Sequence, residues 1–178
     1  MTKQLWYAGV MTVILGLAAG SYAAAQGGSK GPRKVRASLD GYQETPATLS
    51  TPGRGTFAAQ IDDDAMTIDY ELSYEDLESA AMAAHIHLGR PATSGGVSAF
   101  LCGGGTKPLC PPAGGTVTGV IVPSDVIGPT GQGIAAGEFE ELVRAMRRGA
   151  TYANVHTTGR PGGEIRGLID TDRRESVR

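Results

Sequence analysis

Apolar and polar residues alternate along most of this chain in short runs, with glycine and proline between the runs. Met66, Ile68, Tyr70 and Leu72 share one face of an extended segment, and Thr67, Asp69, Glu71 and Ser73 share the other. A period of two marks a half-buried β-strand. The same reading predicts strands over residues 35–39, 55–61, 65–74, 81–88, 97–101, 116–122, 150–156 and 164–169. The second and third form a hairpin around Asp62, Asp63 and Asp64. Those acids are read as a solvated turn, since the bidentate glutamate of an EF-hand calcium loop does not follow. The last two strands are linked by seven residues, 157–163, and are expected to pair.

One segment departs from period two. Phe139, Leu142, Val143 and Met146 recur at i, i+3, i+4 and i+7, which is one face of a helix. Glu138, Glu140 and Glu141 crowd its start, and Arg144, Arg147 and Arg148 crowd its end, matching the helix dipole. Gly149 stands where a left-handed cap belongs. The expectation is an all-β fold: an antiparallel Greek-key β-sandwich of about seven to nine strands, with one short helix at about 137–148 lying across an end of the sheet.

Composition then divides the chain. Residues 1–25 combine Lys3, an apolar run and Ala23-Ala24-Ala25, and read as a secretory signal peptide. An uncleaved anchor is the alternative, although the apolar run is shorter than the ~20 residues that span a bilayer. Residues 26–34 read as a flexible linker, 35–170 as one domain and 171–178 as a charged tail. The expected location is secreted, either periplasmic or extracellular, with no membrane span after cleavage. Losing Lys3 with the leader moves the formal charge from −2 to −3. That mild value argues against a nucleic-acid partner, which needs a basic stripe, and none is expected. In an oxidising compartment Cys102 and Cys110 are expected to form a disulfide across a Gly/Pro-rich loop. Their spacing lacks the tight Cys-x-x-Cys of zinc sites, which ranks metal ligation by them lower.

The chain has three histidines, and all lie in two short motifs, His85-Ile86-His87 and Asn154-Val155-His156-Thr157. On a strand, His85 and His87 project together about 7 Å apart. If the strand carrying His156 lies alongside, three neutral imidazoles form a tripod on the exposed surface, suited to copper, zinc, iron or nickel, with copper or zinc expected. On the 150–169 hairpin the outward face would carry Asn154, His156, Glu164 and Arg166. Glu164 is a candidate fourth ligand, or an acceptor fixing a histidine tautomer. Asn154 is a candidate for orienting a ring or loop, and Arg166 for an ion pair with Glu164 or another acid. The plainer alternative is that these side chains form a hydrogen-bonded network that only fixes strand register.

The segments Ala84-His85-Ile86-His87-Leu88-Gly89, Tyr152-Ala153-Asn154-Val155-His156-Thr157 and Pro161-Gly162-Gly163-Glu164-Ile165-Arg166-Gly167 resemble the hallmark motifs of the CHRD (chordin) domain family. The resemblance covers about residues 35–170 and includes the Leu39–Pro46 segment, similar to that family's opening strand and turn. Leu168 stands where the family often shows glutamine. The resemblance implies a β-sandwich domain of the kind found in chordin and in secreted bacterial proteins. A weaker resemblance is to copper–zinc superoxide dismutase, whose paired metal sites need more histidines than this chain has.

Three functions follow in order of expectation. The first is a secreted domain that binds copper or zinc without catalysis. The second is a structural or protein-interaction module of the cell envelope with an extracellular or envelope partner. The third is a metal-dependent enzyme whose tripod leaves a coordination position open for water, with Glu164 as general base. Composition leaves a Ser–His–Asp arrangement open, but no serine lies in a Gly-x-Ser-x-Gly elbow.

Overall fold

In a computed structural model, which describes residues 31 and 33–171, the predicted segments become eight strands and one α-helix among the described residues. These are β1 (Lys34–Asp40), β2 (Arg54–Asp62), β3 (Thr67–Glu75), β4 (Ala81–Leu88), β5 (Val97–Cys102), β6 (Gly115–Ile121), α1 (Phe139–Arg147), β7 (Thr151–Thr157) and β8 (Ile165–Thr171). The expected signal peptide, most of the linker and nearly all of the tail lie outside the described residues. Among the described residues, no helix is long and apolar enough to cross a membrane.

All pairings are antiparallel, in the order β5-β4-β7-β8-β1-β2-β3-β6. The links β3 to β4, β5 to β6 and β6 to β7 join strands that are not neighbours in this order, as in Greek-key folds. The expected sandwich takes the form of one sheet curled around its apolar face until its end strands, β5 and β6, meet. Strand twist makes that closure natural at eight strands. Inside lie Leu39, Phe57, Ile61, Ile68, Leu72, Ile86, Leu101, Ile121, Val155, Ile165 and Ile169, all buried, as period two requires.

The seam between β5 and β6 is clasped by side chains. Cys102 at the end of β5 is disulfide-bonded to Cys110, as expected. Within the loop they close, Lys107 Nζ donates to Val120 O (2.6 Å) on β6 and to Asp125 Oδ2 (2.7 Å). Tyr70 on β3 donates its hydroxyl to Leu101 O at 2.6 Å.

The helix closes one end. It occupies Phe139–Arg147, within the expected span, and buries Phe139, Leu142, Val143 and Met146. Its C-terminus is a Schellman cap: Gly149 has φ 60°, Gly149 N donates to Met146 O, and Ala150 N donates to Ala145 O. Arg147 makes a two-pronged bond to Asp63, 2.8 Å on each arm. The acidic turn therefore departs from the solvated turn expected. Asp63 anchors the helix, and Asp62 Oδ1 accepts from the backbone N–H groups of Asp64 and Ala65.

Substituting both Cys102 and Cys110 by Ala should cost about 2–3 kcal/mol, the closure entropy of so short a loop. Urea denaturation should show the midpoint fall. An unchanged midpoint would mean that Lys107 and Tyr70 hold the seam without the bridge.

Candidate metal centre

Strand β4 sets two of the three imidazoles. Ala84 and Ile86 point into the core, which turns His85 and His87 to the opposite face. Strand β7 lies beside β4 with His85 opposite Asn154, His87 opposite Tyr152 and Ala83 opposite His156. His156 is therefore the diagonal neighbour of His85, within side-chain reach. Bulges flank the motif: the β4–β5 register shifts at Ala84/His85 and Ile86/His87, and the β4–β7 register at Ala81/Ala83.

The three rings converge. Centroids are 4.8 Å apart for His85–His156, 5.3 Å for His85–His87 and 5.7 Å for His87–His156. One ring nitrogen from each lies within 4.8 Å of the other two. Their hydrogen bonds have a clear sense. His87 Nδ1 meets Gly95 O at 2.9 Å, and His156 Nδ1 meets Pro161 O at 3.0 Å. A carbonyl only accepts, so both rings carry the proton on Nδ1 and leave Nε2 as a bare lone pair. His87 Nε2, His156 Nε2 and His85 Nδ1 are buried without a hydrogen-bond partner.

The face was expected to be open to solvent, and here the structure corrects the sequence. His87 and His156 are only 7% and 8% exposed, and His85 is half-buried. Every residue of β7 is buried, on both its faces. The cover includes two loops, residues 41–53 and 89–96, tied down by the polar face beneath them. Arg166 donates to Arg90 O (3.0 Å), Thr93 O (2.8 Å) and the Thr45 hydroxyl. Gly95 N donates to the Tyr152 hydroxyl at 3.0 Å. Asn154 Nδ2 donates to Glu44 Oε1 (2.7 Å) and to Ile165 O (2.8 Å). Tyr152 is sandwiched: His87 stacks at 4.8 Å and 4° interplanar, and the Arg166 guanidinium sits 3.5 Å from the ring centroid. The two could not share one face of the ring without colliding.

Two expectations fail geometrically. Glu164 does not join the histidines. Its Oε1 accepts from the Thr51 hydroxyl (2.9 Å) and the Glu78 backbone N–H (2.7 Å), and its Oε2 accepts from the Thr157 hydroxyl (2.8 Å). Thr157 lies on the Ala153–Val155 side of β7, so this carboxylate is turned to the core side. The cause is Gly163, whose φ of 126° swings the chain just before Glu164. A Cβ there would lie 2.7 Å from both Glu44 Oε1 and Asn154 Nδ2. Arg166 likewise makes no ion pair with Glu164, and spends its donors on loop carbonyls instead. Glu164 thus acts as a positioning residue: it pins the turn from which Pro161 O holds His156.

Sequence reasoning missed Glu44, Tyr152 and Phe100. Phe100, opposite His85 on β5, presents its ring edge-on at 4.6 Å. Glu44 meets its partner 110 residues along the chain, and only its place in the opening segment hinted at importance.

Burial sets the electrostatics. Desolvation, with some repulsion from His156 and His87, pushes His85 down to about 3. Desolvation pushes His87 down to about 4 against the Gly95 hydrogen bond, and lowers His156 against that of Pro161. Desolvation also raises the Glu44 carboxyl and lowers Arg166. At neutral pH the three rings are uncharged donors.

A family profile matches residues 35–169, which takes in at least most of every strand just described and all three motifs. The chain belongs to the CHRD domain family. No curated protein and no solved structure matches it significantly. In this CHRD domain the resembling motifs are one spatial unit: the first supplies His85 and His87, the second Tyr152, Asn154 and His156, the third the turn, Glu164 and Arg166.

Two outcomes test this geometry. Glu164→Ala should cost about 2–4 kcal/mol, because two hydroxyls and a backbone N–H lose a buried acceptor. A loss under ~1 kcal/mol in urea denaturation would refute the role given to Glu164. The second outcome concerns pH and the metal-free protein. Folded-state values for these histidines lie below the ordinary 6.5, so the unfolded chain binds more protons as pH falls. Stability should be full above about pH 7 and decline by up to ~1.4 kcal/mol per pH unit per histidine as pH drops toward about 4. Thermal melts that stay level from pH 7 to 4.5 would contradict it.

Proposed function

We propose that this CHRD domain protein is a secreted, non-catalytic binder of one transition-metal ion, copper or zinc, held by His85, His87 and His156. The observation that carries the reading is the set of three buried ring nitrogens without hydrogen-bond partners, one from each histidine. A buried polar atom left unpaired costs about 1–3 kcal/mol, so three in one cluster ask for an explanation. An ion supplies it by accepting all three lone pairs.

Further support comes from tautomer and charge. Two Nδ1 protons face backbone carbonyls, the outer arrangement that holds a ligating imidazole in place. Rings that are neutral at pH 7 release no proton on binding. Metal–nitrogen distances of about 2.0–2.1 Å put the nitrogens about 3.4 Å apart, so binding draws the rings inward by up to about 1.4 Å. Glu164, already accepting three hydrogen bonds elsewhere, leaves the tripod without its expected carboxylate and without the proposed general base. Secretion is supported by the Cys102–Cys110 disulfide together with the leader-like residues 1–25.

One observation favours the second reading, an interaction module of the cell envelope. The Glu44–Asn154 and Arg166 bonds hold the loops over β7 without any ion. In that reading the loops are the working surface and the histidines sit beneath them.

Dialysis of the apo-protein against Cu or Zn at neutral pH, followed by elemental analysis, separates the two. Wild type should retain close to one ion per chain, and the His85→Ala/His156→Ala variant less than a tenth of that. Equal retention by both would remove the metal reading.

A further inference from the structure

We propose that the ion this site selects is monovalent copper, in preference to divalent zinc or divalent copper, because it offers three neutral donors and no negative charge at a largely buried position. The inference rests on the metal-binding reading above and deepens it.

Charge sets the preference. The ligand group consists of three imidazoles. Of the buried carboxylates nearby, Glu164 is turned to the core side and Glu44 is held by Asn154. The partners behind the rings are neutral as well, backbone carbonyls of Gly95 and Pro161. Zinc-bound histidines are frequently backed by carboxylates, which spread negative charge toward the metal. Beyond the ligands, the charged group whose field reaches a ring is repulsive. The Arg166 guanidinium lies one ring away, across Tyr152 from His87, and its field acts on His87.

Moving an ion from water into such a place costs energy that grows as the square of its charge, so a divalent ion pays about four times the penalty of a monovalent one. No anion in the first or second rank repays the difference. Softness is not the basis of selection, because the thiolates that usually choose monovalent copper are absent among the described residues, both cysteines being in the disulfide. Coordination number agrees with the charge. A d¹⁰ monovalent copper is satisfied by three nitrogens in a plane. Zinc would call for a fourth ligand beside rings already flanked by Phe100 and Tyr152.

The test is a pair of anaerobic competition titrations on the apo-protein. One sets the protein against a coloured chelator of monovalent copper, and the other against a coloured zinc chelator. Divalent copper is titrated separately by paramagnetic resonance. Monovalent copper should bind at least a hundredfold tighter than zinc and tighter than divalent copper. Zinc or divalent copper bound as tightly or more tightly overturns this inference and leaves the metal site standing. No binding of any ion above the level of the His85→Ala/His156→Ala variant overturns both. His85→Asp puts a carboxylate into the ligand group and should move the preference toward zinc at least tenfold. An unchanged ratio in a folded His85→Asp variant would show that charge is not what selects the ion.

Discussion

The register between β4 and β7 is the constraint on which the rest depends. Ala84 and Ile86 must face the core from one strand, and Ala153 and Val155 from the other. Satisfying that packing turns His85, His87, Tyr152, Asn154 and His156 to the same opposite face. A slip of one residue would drive imidazoles into the barrel and expose the aliphatic side chains. The apolar core therefore specifies the polar cluster, although no atom of the cluster contributes to the core. The bulges on β4 then adjust where each ring points, a local correction on a position already fixed globally.

What the polar face lacks in hydrophobic drive it recovers in hydrogen bonds. Covering β7 with loops would strand many donors and acceptors if the fit were poor. Asn154, Arg166 and the Tyr152 hydroxyl each bond to a covering segment, so loops distant in sequence converge on two adjacent strands. Gly163 is essential to this arrangement. Its positive φ lets the chain turn over Asn154 without a side chain striking the Glu44–Asn154 bond, and it sends Glu164 to the other side of the sheet. Most buried polar groups here are paired; among the described residues Ser98 Oγ and Thr151 Oγ1 are buried without a partner, as are three ring nitrogens, one from each histidine of a single cluster. That clustering separates the histidines from an ordinary register-fixing network.

Local pattern made most of the fold legible. Period two located each strand to within about two residues, because strand faces are set by which side chains the core takes. The helix was legible from Phe139, Leu142, Val143 and Met146, and its end from Gly149. The sharing of one face by His85, His87 and His156 followed from the same alternation. Contacts between segments far apart in sequence were not legible. Nothing local says that Asp63 meets Arg147, that Glu44 meets Asn154, or that loops bury a face rich in polar groups. Alternation failed outright at Glu164, since it assumes a regular strand and Gly163 breaks the regularity one residue earlier. An acidic turn reads as solvated until a helix end supplies its arginine.

The far side of the molecule bears on the site through β5. This strand is at the end of the sheet order, where a strand is normally the most easily displaced. It supplies Phe100, the wall against which His85 rests edge-on. The next two residues are the ones that fasten the seam: Leu101 accepts the Tyr70 hydroxyl, and Cys102 enters the disulfide. Lys107, within the closed loop, reaches across to β6. Closing the barrel thus immobilises the one edge strand that touches the histidines. The rings themselves stand on β4 and β7, and a fraying β5 would withdraw the Phe100 wall from His85. The clasp is therefore read as support for the cluster as well as for the fold, with β5 transmitting the restraint from one to the other.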